Sequence, residues 1–453
     1  MIKSKKISLS TTQIILLSFL VTIFVGSVLL ALPISSENGR PVPYLDALFT
    51  ATTSTCVTGL VTLPTVSTWS VFGQVVILLL IQIGGLGLIT IMSGLMLLLN
   101  RKMGIGDRLL IQDAFNLNTM AGLAKFVKNV LLGTLIIEGI GALLYMLVFI
   151  PEFGAKGIWI SVFNSVSAFC NAGIDIIAEN SLCNYATDPL VNLVTSALII
   201  LGGLGYIVWW DLLRVIKTRS PKNRKIFRHL TLHSKIAVTV TAGLILAGAV
   251  LIFIFEYSNP LTIGEMSLFD KIQVSFFQSV TTRTAGFASV PQESLTNATA
   301  AVSIILMLIG GSPVGTAGGI KTVTISVLVC SALATIRNKN GATLFGRRIS
   351  DESIKKAVAV IVMFLAICAM STVLLMATSN ASVIDAVYET VSATATVGLS
   401  RNLTATLNTF GKLIIIATMY FGRVGPISLA VAFGSKNESQ NVISEPTEDI
   451  SIG

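Results

Sequence analysis

The chain is short of charge and nearly devoid of histidine. Asp, Glu, Lys and Arg make up 12% of its 453 residues, about half the ~25% usual for soluble domains. Hydrophobic residues make up 53%. No stretch of 100 residues or more reads as a water-soluble domain, so regulation by a nucleotide would need a separate protein. Only two histidines occur, His229 and His233, both in a basic stretch. That leaves no metalloprotease motif and no Ser–His pair within an apolar run. The five cysteines (Cys56, Cys170, Cys183, Cys330, Cys368) show no metal-ligand spacing. Four lie in or beside apolar runs, where a free thiol acts as a small hydrophobe, and no disulfide framework is implied. Two further chemistries fail on single residues. Gly315-Thr316-Ala317-Gly318-Gly319-Ile320-Lys321-Thr322 has Ile320 where a phosphate loop needs Gly before Lys. Gly310-Gly311-Ser312-Pro313-Val314 lacks the final Gly of a nucleophile elbow. The sequence carries no enzyme motif.

The net charge of +9 suggests nucleic acid until it is located. Segments 3–6, 101–128, 214–235 and 337–356 hold 22 of the 31 Lys and Arg residues. Basic clusters between apolar runs are a positive-inside signature and put these segments in the cytoplasm. Repeated apolar runs of about 20 residues argue for spanning helices and against a barrel. The first run, 12–32, lacks a small-residue cleavage site and reads as a helix, not a signal peptide.

What the chain does have is internal repetition. Thr55-Cys56-Val57-Thr58-Gly59 returns as Phe169-Cys170-Asn171-Ala172-Gly173, then Thr282-Arg283-Thr284-Ala285-Gly286, then Thr394-Ala395-Thr396-Val397-Gly398. The glycines lie 114, 113 and 112 residues apart. Such a period fixes architecture before any local feature does. Each glycine follows a short run (45–53, 158–168, 268–280, 382–393) and precedes a long one (71–99, 190–216, 300–335, 410–433). Each unit opens on another long run (12–32, 126–150, 236–255, 357–377). The expected fold is an all-α integral membrane protein of four covalently linked repeats, each outer helix, pore helix, loop and inner helix, around one pore. That makes eight transmembrane helices, with both termini inside and the glycine loops outside. The repeats are expected at 1–100, 101–217, 218–336 and 337–435, before a polar tail at 436–453.

One glycine between two helices is simply a turn. Four around one axis suggest a ring of backbone oxygens, which is how cation filters are built. The hydroxyls of Thr55, Thr58, Thr284 and Thr396 are candidates to add to such a pore, or to bond within the helices. Arg283 would repel a cation if it lined the ring, so it is expected to point behind the loop, toward an acid such as Asp175 or Glu389. Glu138 reads as a structural partner of another helix or as a site for a coupling ion.

A second motif repeats in the inner runs: Gly84-Gly85-Leu86-Gly87, Gly202-Gly203-Leu204-Gly205, Gly310-Gly311-Ser312-Pro313 and Gly422-Arg423-Val424-Gly425. Small residues let helices approach closely, which is account enough for the first two. The third continues through Val314, Gly315, Thr316, Ala317 and Gly318 to Gly319. Gly costs a helix about 1 kcal/mol and Pro about 3 kcal/mol against Ala, so no helix continues there. Irregular backbone at membrane depth is tolerated where it lines a cavity or is buried in protein. The stretch reads as a gating loop or as a passive break. Arg423 is about 13 residues inside its run, too deep to snorkel easily, and an intramembrane charge is a functional candidate. Its five donors could hold loop carbonyls; the other reading is a buried salt bridge.

These loops, the Gly310–Thr322 stretch and Phe421-Gly422-Arg423-Val424-Gly425-Pro426 closely resemble the Trk/Ktr/HKT superfamily of potassium transporters, over nearly the whole chain. Eight crossings without an extra N-terminal pair are similar to the Ktr membrane subunit (KtrB-like). The resemblance implies potassium uptake, often with sodium as an activator, by a homodimer with one pore per protomer in a bacterial plasma membrane. It implies a cytosolic ring of KtrA-like nucleotide-binding regulatory subunits on the basic face. It also implies potassium at the backbone of Gly59, Gly173, Gly286 and Gly398, a gate at 310–319, and Arg423 acting with that gate. Two alternatives stay open: a cation-coupled secondary transporter with broken helices, and a docking platform for a cytosolic regulator.

Overall fold

The computed structural model describes residues 11–98, 123–218, 226–339 and 341–425. The basic cluster at 3–6, most of the 101–128 segment, the end of the last inner run and the polar tail lie outside the described residues. The described chain is helical apart from turns, loops and two paired two-residue strands, Thr343–Leu344 and Arg347–Arg348. Four long helices, Thr12–Leu30, Leu123–Phe153, Leu232–Glu256 and Asp351–Thr378, are each long and apolar enough to cross a membrane alone. Each packs on the short helix that follows it: Tyr44–Thr55, Lys156–Cys170, Leu268–Thr281 and Val383–Ala395.

Local chemistry sets where these helices start. Ser267, Ser382, Thr296, Asn408 and Ser70 each accept an amide three residues on with their side chains. Such N-caps satisfy donors a helix start leaves free, each contributing about 1 kcal/mol. The distribution of polarity is inverted relative to a soluble domain. Leu143, Leu147, Val250, Ile254, Val362 and Val373 are exposed on the long helices. The short helices bury Thr53, Ser54, Ser165, Ser167, Gln278, Ser279, Thr390 and Ser392. An apolar exterior of this extent fits lipid, not water, and the polar interior is where a hydrated solute would pass.

The long runs that follow the loops are not continuous, and this corrects the sequence reading. The first is split into Val71–Leu86 and Leu88–Leu98 and the second into Pro189–Leu204 and Tyr206–Thr218; the fourth is helical over Thr409–Val424, with Gly425 as the last described residue. The third is interrupted as expected, between Asn297–Leu308 and Thr322–Ile336. At the break in the second run the chain turns by 94°. The cause is the last glycine of each motif. Gly87, Gly205 and Gly425 have φ of 83°, 85° and 88° with ψ of 134°, 145° and 140°. Among residue types essentially only glycine takes this backbone conformation, which cannot continue a helix.

Candidate functional site

Each short helix ends in a loop of one shape. The residue two before each glycine is left-handed: Val57, Asn171, Thr284 and Thr396 have φ of 55°, 59°, 72° and 52°. Side chains other than Gly and Asn adopt this at a cost of about 1–2 kcal/mol, so the surroundings must hold the loop. In three units they do so with the same first bond. The amides of Thr58, Ala172 and Val397 return to the carbonyls of Thr53, Ser167 and Ser392, each at 2.8 Å. The hydroxyls of Thr53 and Ser392 then accept the amide of the ring glycine itself, Gly59 and Gly398 at 3.0 Å each, whereas Ser167 accepts one residue further on, from Ile174 at 3.2 Å. The third unit has Val280 at this register. Thr281 stands in for it, accepting the Ala285 amide at 3.0 Å and donating its hydroxyl to Phe287 O at 2.7 Å.

The four glycines close into a ring. A Cβ on Gly59 would lie 2.5 Å from Ala172 O and 3.2 Å from the Cα of Gly173 and of Gly398. On Gly173 it would lie 2.6 Å from Ala285 O and 2.8 Å from Gly286 Cα. On Gly286 it would strike Val397 O and lie 3.2 Å from Gly398 Cα; on Gly398 it would strike Thr58 O and lie 2.8 Å from Gly59 Cα. The order is 59, 173, 286, 398 and back to 59, and the φ values of 98°, 62°, 85° and 101° add a second reason for glycine. All four line one open cavity of about 460 Å³, whose wall also carries Asp175, Glu179 and Glu293. Burial pushes the Asp175 carboxyl up to about 6, against hydrogen bonds from Ser181, Ile177 and Ala178 that favour its ionised form.

Behind the ring lies the 310–319 loop. Its ends are clasped by Gly310 N to Ile320 O at 3.0 Å and Thr322 N to Gly311 O at 3.0 Å. It leans on the break in the second unit through Ser312 N to Gly203 O (2.8 Å), Thr316 N to Gly202 O (3.2 Å) and Tyr206 N to Val314 O (2.9 Å). It also reaches the glycine loops. Asn171 Nδ2 donates to Thr316 Oγ1 at 2.7 Å, and Gly318 is pressed so closely on Thr396 that it has no room for a side chain. Arg423 meets the loop from the fourth unit, Nη1 donating to Thr316 O at 2.7 Å and Nη2 to Gly84 O at 2.6 Å. It makes no ion pair among the described residues, so the salt-bridge reading falls.

Arg283 departs from expectation. It is buried behind the ring, but pairs with neither Asp175 nor Glu389. Its Nη2 donates to Gly310 O at 2.8 Å, while Glu389 takes the hydroxyls of Ser400 and Thr404. A carbonyl serves because the end of the loop presents one there, and Glu389 is already satisfied. Glu138 has a structural environment: Gln82 Nε2 donates to it at 3.1 Å, and the Cys170 thiol lies 3.9 Å away. Thr55, Thr58, Thr284 and Thr396 are buried, and their hydroxyls have no partner within the described chain.

Some of the constellation is absent from the sequence reading. Lys321 Nζ donates to Ala317 O at 2.6 Å and Gly318 O at 3.3 Å, a second cation on the loop's carbonyls. Its place two residues after the glycine run is the only sequence signal for it. Thr53, Ser167 and Ser392 stand six residues before their glycines, a repeated small hydroxyl that the period makes visible. The inner glycines Gly84, Gly202 and Gly422 sit against the carbonyls of Thr55, Phe169 and Thr394, with no room for a Cβ.

Comparison with known proteins gives a consistent likeness. The profile of the TrkH family, described as a cation transport protein, matches residues 4–445. The "Ktr system potassium uptake protein B" of Bacillus subtilis is 40% identical, covering 97% of this chain and 96% of that protein. The "Potassium/sodium uptake protein NtpJ" of Enterococcus hirae is 38% identical, covering 98% of each. Among solved structures, the potassium transporter TrkH from Vibrio parahaemolyticus superposes with a TM-score of 0.76 at 15% identity, over 95% of this chain and 86% of that one. At that identity it supports the fold alone.

Proposed function

The chain belongs to the TrkH family of cation transport proteins, and from that premise we propose that it is the potassium-translocating membrane subunit of a Ktr-type uptake system. It is a multi-pass membrane protein and not an enzyme. The observation that carries the reading is the closed ring of Gly59, Gly173, Gly286 and Gly398 at the base of one open cavity, which we place on the outer side. A cation sheds water where several carbonyl oxygens replace its hydration shell. The ring loops, 55–59, 170–173, 283–286 and 395–398, would serve as that filter. The four short helices end at the ring, and their C-terminal dipole ends favour a cation there. The 310–319 loop would then be the gate and Arg423 its restraint. One filter loop from each of the four repeats makes the repeat the functional unit.

Similarity to the Bacillus subtilis protein supports potassium as cargo and a system of more than one component, the other of which we take to be a KtrA-like, nucleotide-binding regulatory subunit. The basic segments around Arg228, Lys235, Arg347 and Arg348 offer it a cytoplasmic face. Similarity to the Enterococcus hirae protein supports sodium as an activator or second cargo. We place both termini in the cytoplasm of a bacterial plasma membrane and expect a homodimer. A second reading draws on the broken inner helices, which also occur in coupled secondary transporters. That reading requires fixed coupling between two ions.

The test is potassium uptake at low external potassium in cells lacking their own systems. It is run with and without sodium, and with and without a Ktr-type regulator. Uptake that depends on this chain and follows the potassium gradient is expected. Uptake at a fixed ion ratio would favour the coupled reading. A membrane-inserted chain with no uptake in any condition would defeat the proposal.

A further inference from the structure

Thr316 joins three of the four units at one residue. It is fully buried. Its amide donates to Gly202 O at 3.2 Å and its hydroxyl to Phe169 O at 3.0 Å; the hydroxyl also accepts from Asn171 Nδ2 at 2.7 Å, and its carbonyl accepts from Arg423 at 2.7 Å. Two of those partners lie at the second glycine loop, Phe169 at the end of the short helix Lys156–Cys170 and Asn171 within the loop. Phe169 is four residues before Gly173 and Asn171 two before it. Among the described residues Asn171 is the only one of the four left-handed positions whose side chain bonds to the 310–319 loop. Val57 cannot do so, and Thr284 and Thr396 make no such bond. The side chain that shapes the second loop is thus held by the loop behind it.

Building on the filter-and-gate reading above, we propose that Thr316 is a specificity-determining residue, coupling the position of the gating loop to the geometry of the second filter loop. When the loop withdraws, Phe169 O and the Asn171 amide lose their buried partner together. A buried polar group without a partner is costly, so the second filter loop rearranges to recover one. The ring then loses the contact that Gly173 makes with Gly286 in the closed arrangement. Ion discrimination therefore depends on whether the gate is latched. Arg423 acts differently: it holds the loop by its backbone, and both of its hydrogen bonds among the described residues go to carbonyls outside the filter loops.

The experiment compares Thr316→Val, Thr316→Ser and Arg423→Gln in the uptake assay, reading maximal rate and the ratio of potassium to sodium KM separately. Val keeps the shape and removes the hydroxyl; Ser keeps the hydroxyl. Thr316→Val is expected to raise maximal rate and to lower potassium-over-sodium discrimination several-fold, with Thr316→Ser close to the unaltered protein in both. A Thr316→Val protein with raised rate and unchanged discrimination would overturn the coupling while leaving the gate reading intact. If neither Thr316→Val nor Arg423→Gln changes rate with protein in the membrane, the gate reading itself fails, and the coupling with it. Should Thr316→Val fail to insert, Asn171→Asp provides the second probe. It keeps the left-handed residue class but cannot donate to Thr316 Oγ1, and it too must lower discrimination. Unchanged discrimination there overturns the coupling.

Discussion

Arg423 spans two backbone carbonyls from different units, Thr316 O at 2.7 Å and Gly84 O at 2.6 Å. One guanidinium thus ties the 310–319 loop to the glycine motif of the first inner segment. Its planar fork supplies two donors at fixed spacing, which a lysine ammonium cannot match in the same geometry. A hydrogen bond to a charged group contributes about 1.5–3 kcal/mol. Removing the arginine therefore shifts the loop toward release by at least about tenfold. Arg423→Gln is expected to raise maximal potassium uptake, and Arg423→Lys to raise it less. A maximal rate unchanged in both variants, at equal membrane abundance, would remove Arg423 from the restraint.

Gly286 has φ 85° and faces Val397 O and the Cα atoms of Gly173 and Gly398. Any side chain there meets backbone on the neighbouring loop, and backbone has nowhere to fold away. Gly286→Ser adds both this clash and the left-handed penalty of about 1–2 kcal/mol. The ring must open on that side. The expected outcome is a higher KM for potassium and weaker discrimination against sodium, with the protein still inserted. Unchanged uptake kinetics for Gly286→Ser would show that the ring is not where ions are selected.

Asp175 sits in the wall of the open cavity that the four glycines line, with its carboxyl pushed up to about 6 by burial. The sign is direct. Above that pH the carboxyl is ionised and draws cations toward the ring; below it the group is neutral and the attraction is lost. A unit charge about 4 Å from a cation in water contributes about 1 kcal/mol, or about fivefold in apparent affinity. KM for potassium should rise by about that factor as external pH falls from 7.5 to 5. Asp175→Asn should carry the raised KM at every pH. A pH dependence that survives intact in Asp175→Asn would assign it elsewhere.

The repeat made most of this architecture legible. Glycines at near-equal spacing located all four loops, and the loop conformation proves common to them because the same residue register recurs. The composition at 310–319 was enough to predict a break, since five glycines and a proline in ten residues leave no helix. The breaks at Gly87 and Gly205, and the positive φ of Gly425, were not legible. A single glycine in an apolar run is equally compatible with close helix packing, and only its φ decides. Arg283 was misread because charge was weighed against charge. A buried guanidinium is also served by carbonyls, and which carbonyl is near depends on how the third unit folds back. Lys321 was hidden for the same reason: its partners are backbone atoms of its own loop, which leave no mark in side-chain identity.

Glu256 closes the C-terminal end of the third long helix with four hydrogen bonds. One carboxylate oxygen accepts the Thr296 amide (2.9 Å) and hydroxyl (2.8 Å); the other accepts Thr262 Oγ1 (2.6 Å) and Asn259 Nδ2 (2.7 Å). Thr296 is also the N-cap of Asn297–Leu308, so this one side chain fixes where the third inner segment begins. At 1% exposure there is no water to replace it. Glu256→Ala leaves the Thr296 amide and one Asn259 N–H without an acceptor, while the two hydroxyls keep Thr299 Oγ1 and Asn259 O within reach, and is expected to destabilise the protein by about 2–4 kcal/mol. Glu256→Gln turns one acceptor into a donor facing donors, and should fall between. Thermal unfolding in detergent measures the loss. KM for potassium in the folded fraction should stay the same, because none of these four bonds reaches the glycine ring. A lowered midpoint together with a changed KM would mean that this end of the third long helix positions the ring. An unchanged midpoint in Glu256→Ala would mean that the inner segment is held from below, by the bonds from Arg283 to Gly310 and from Gly310 to Ile320.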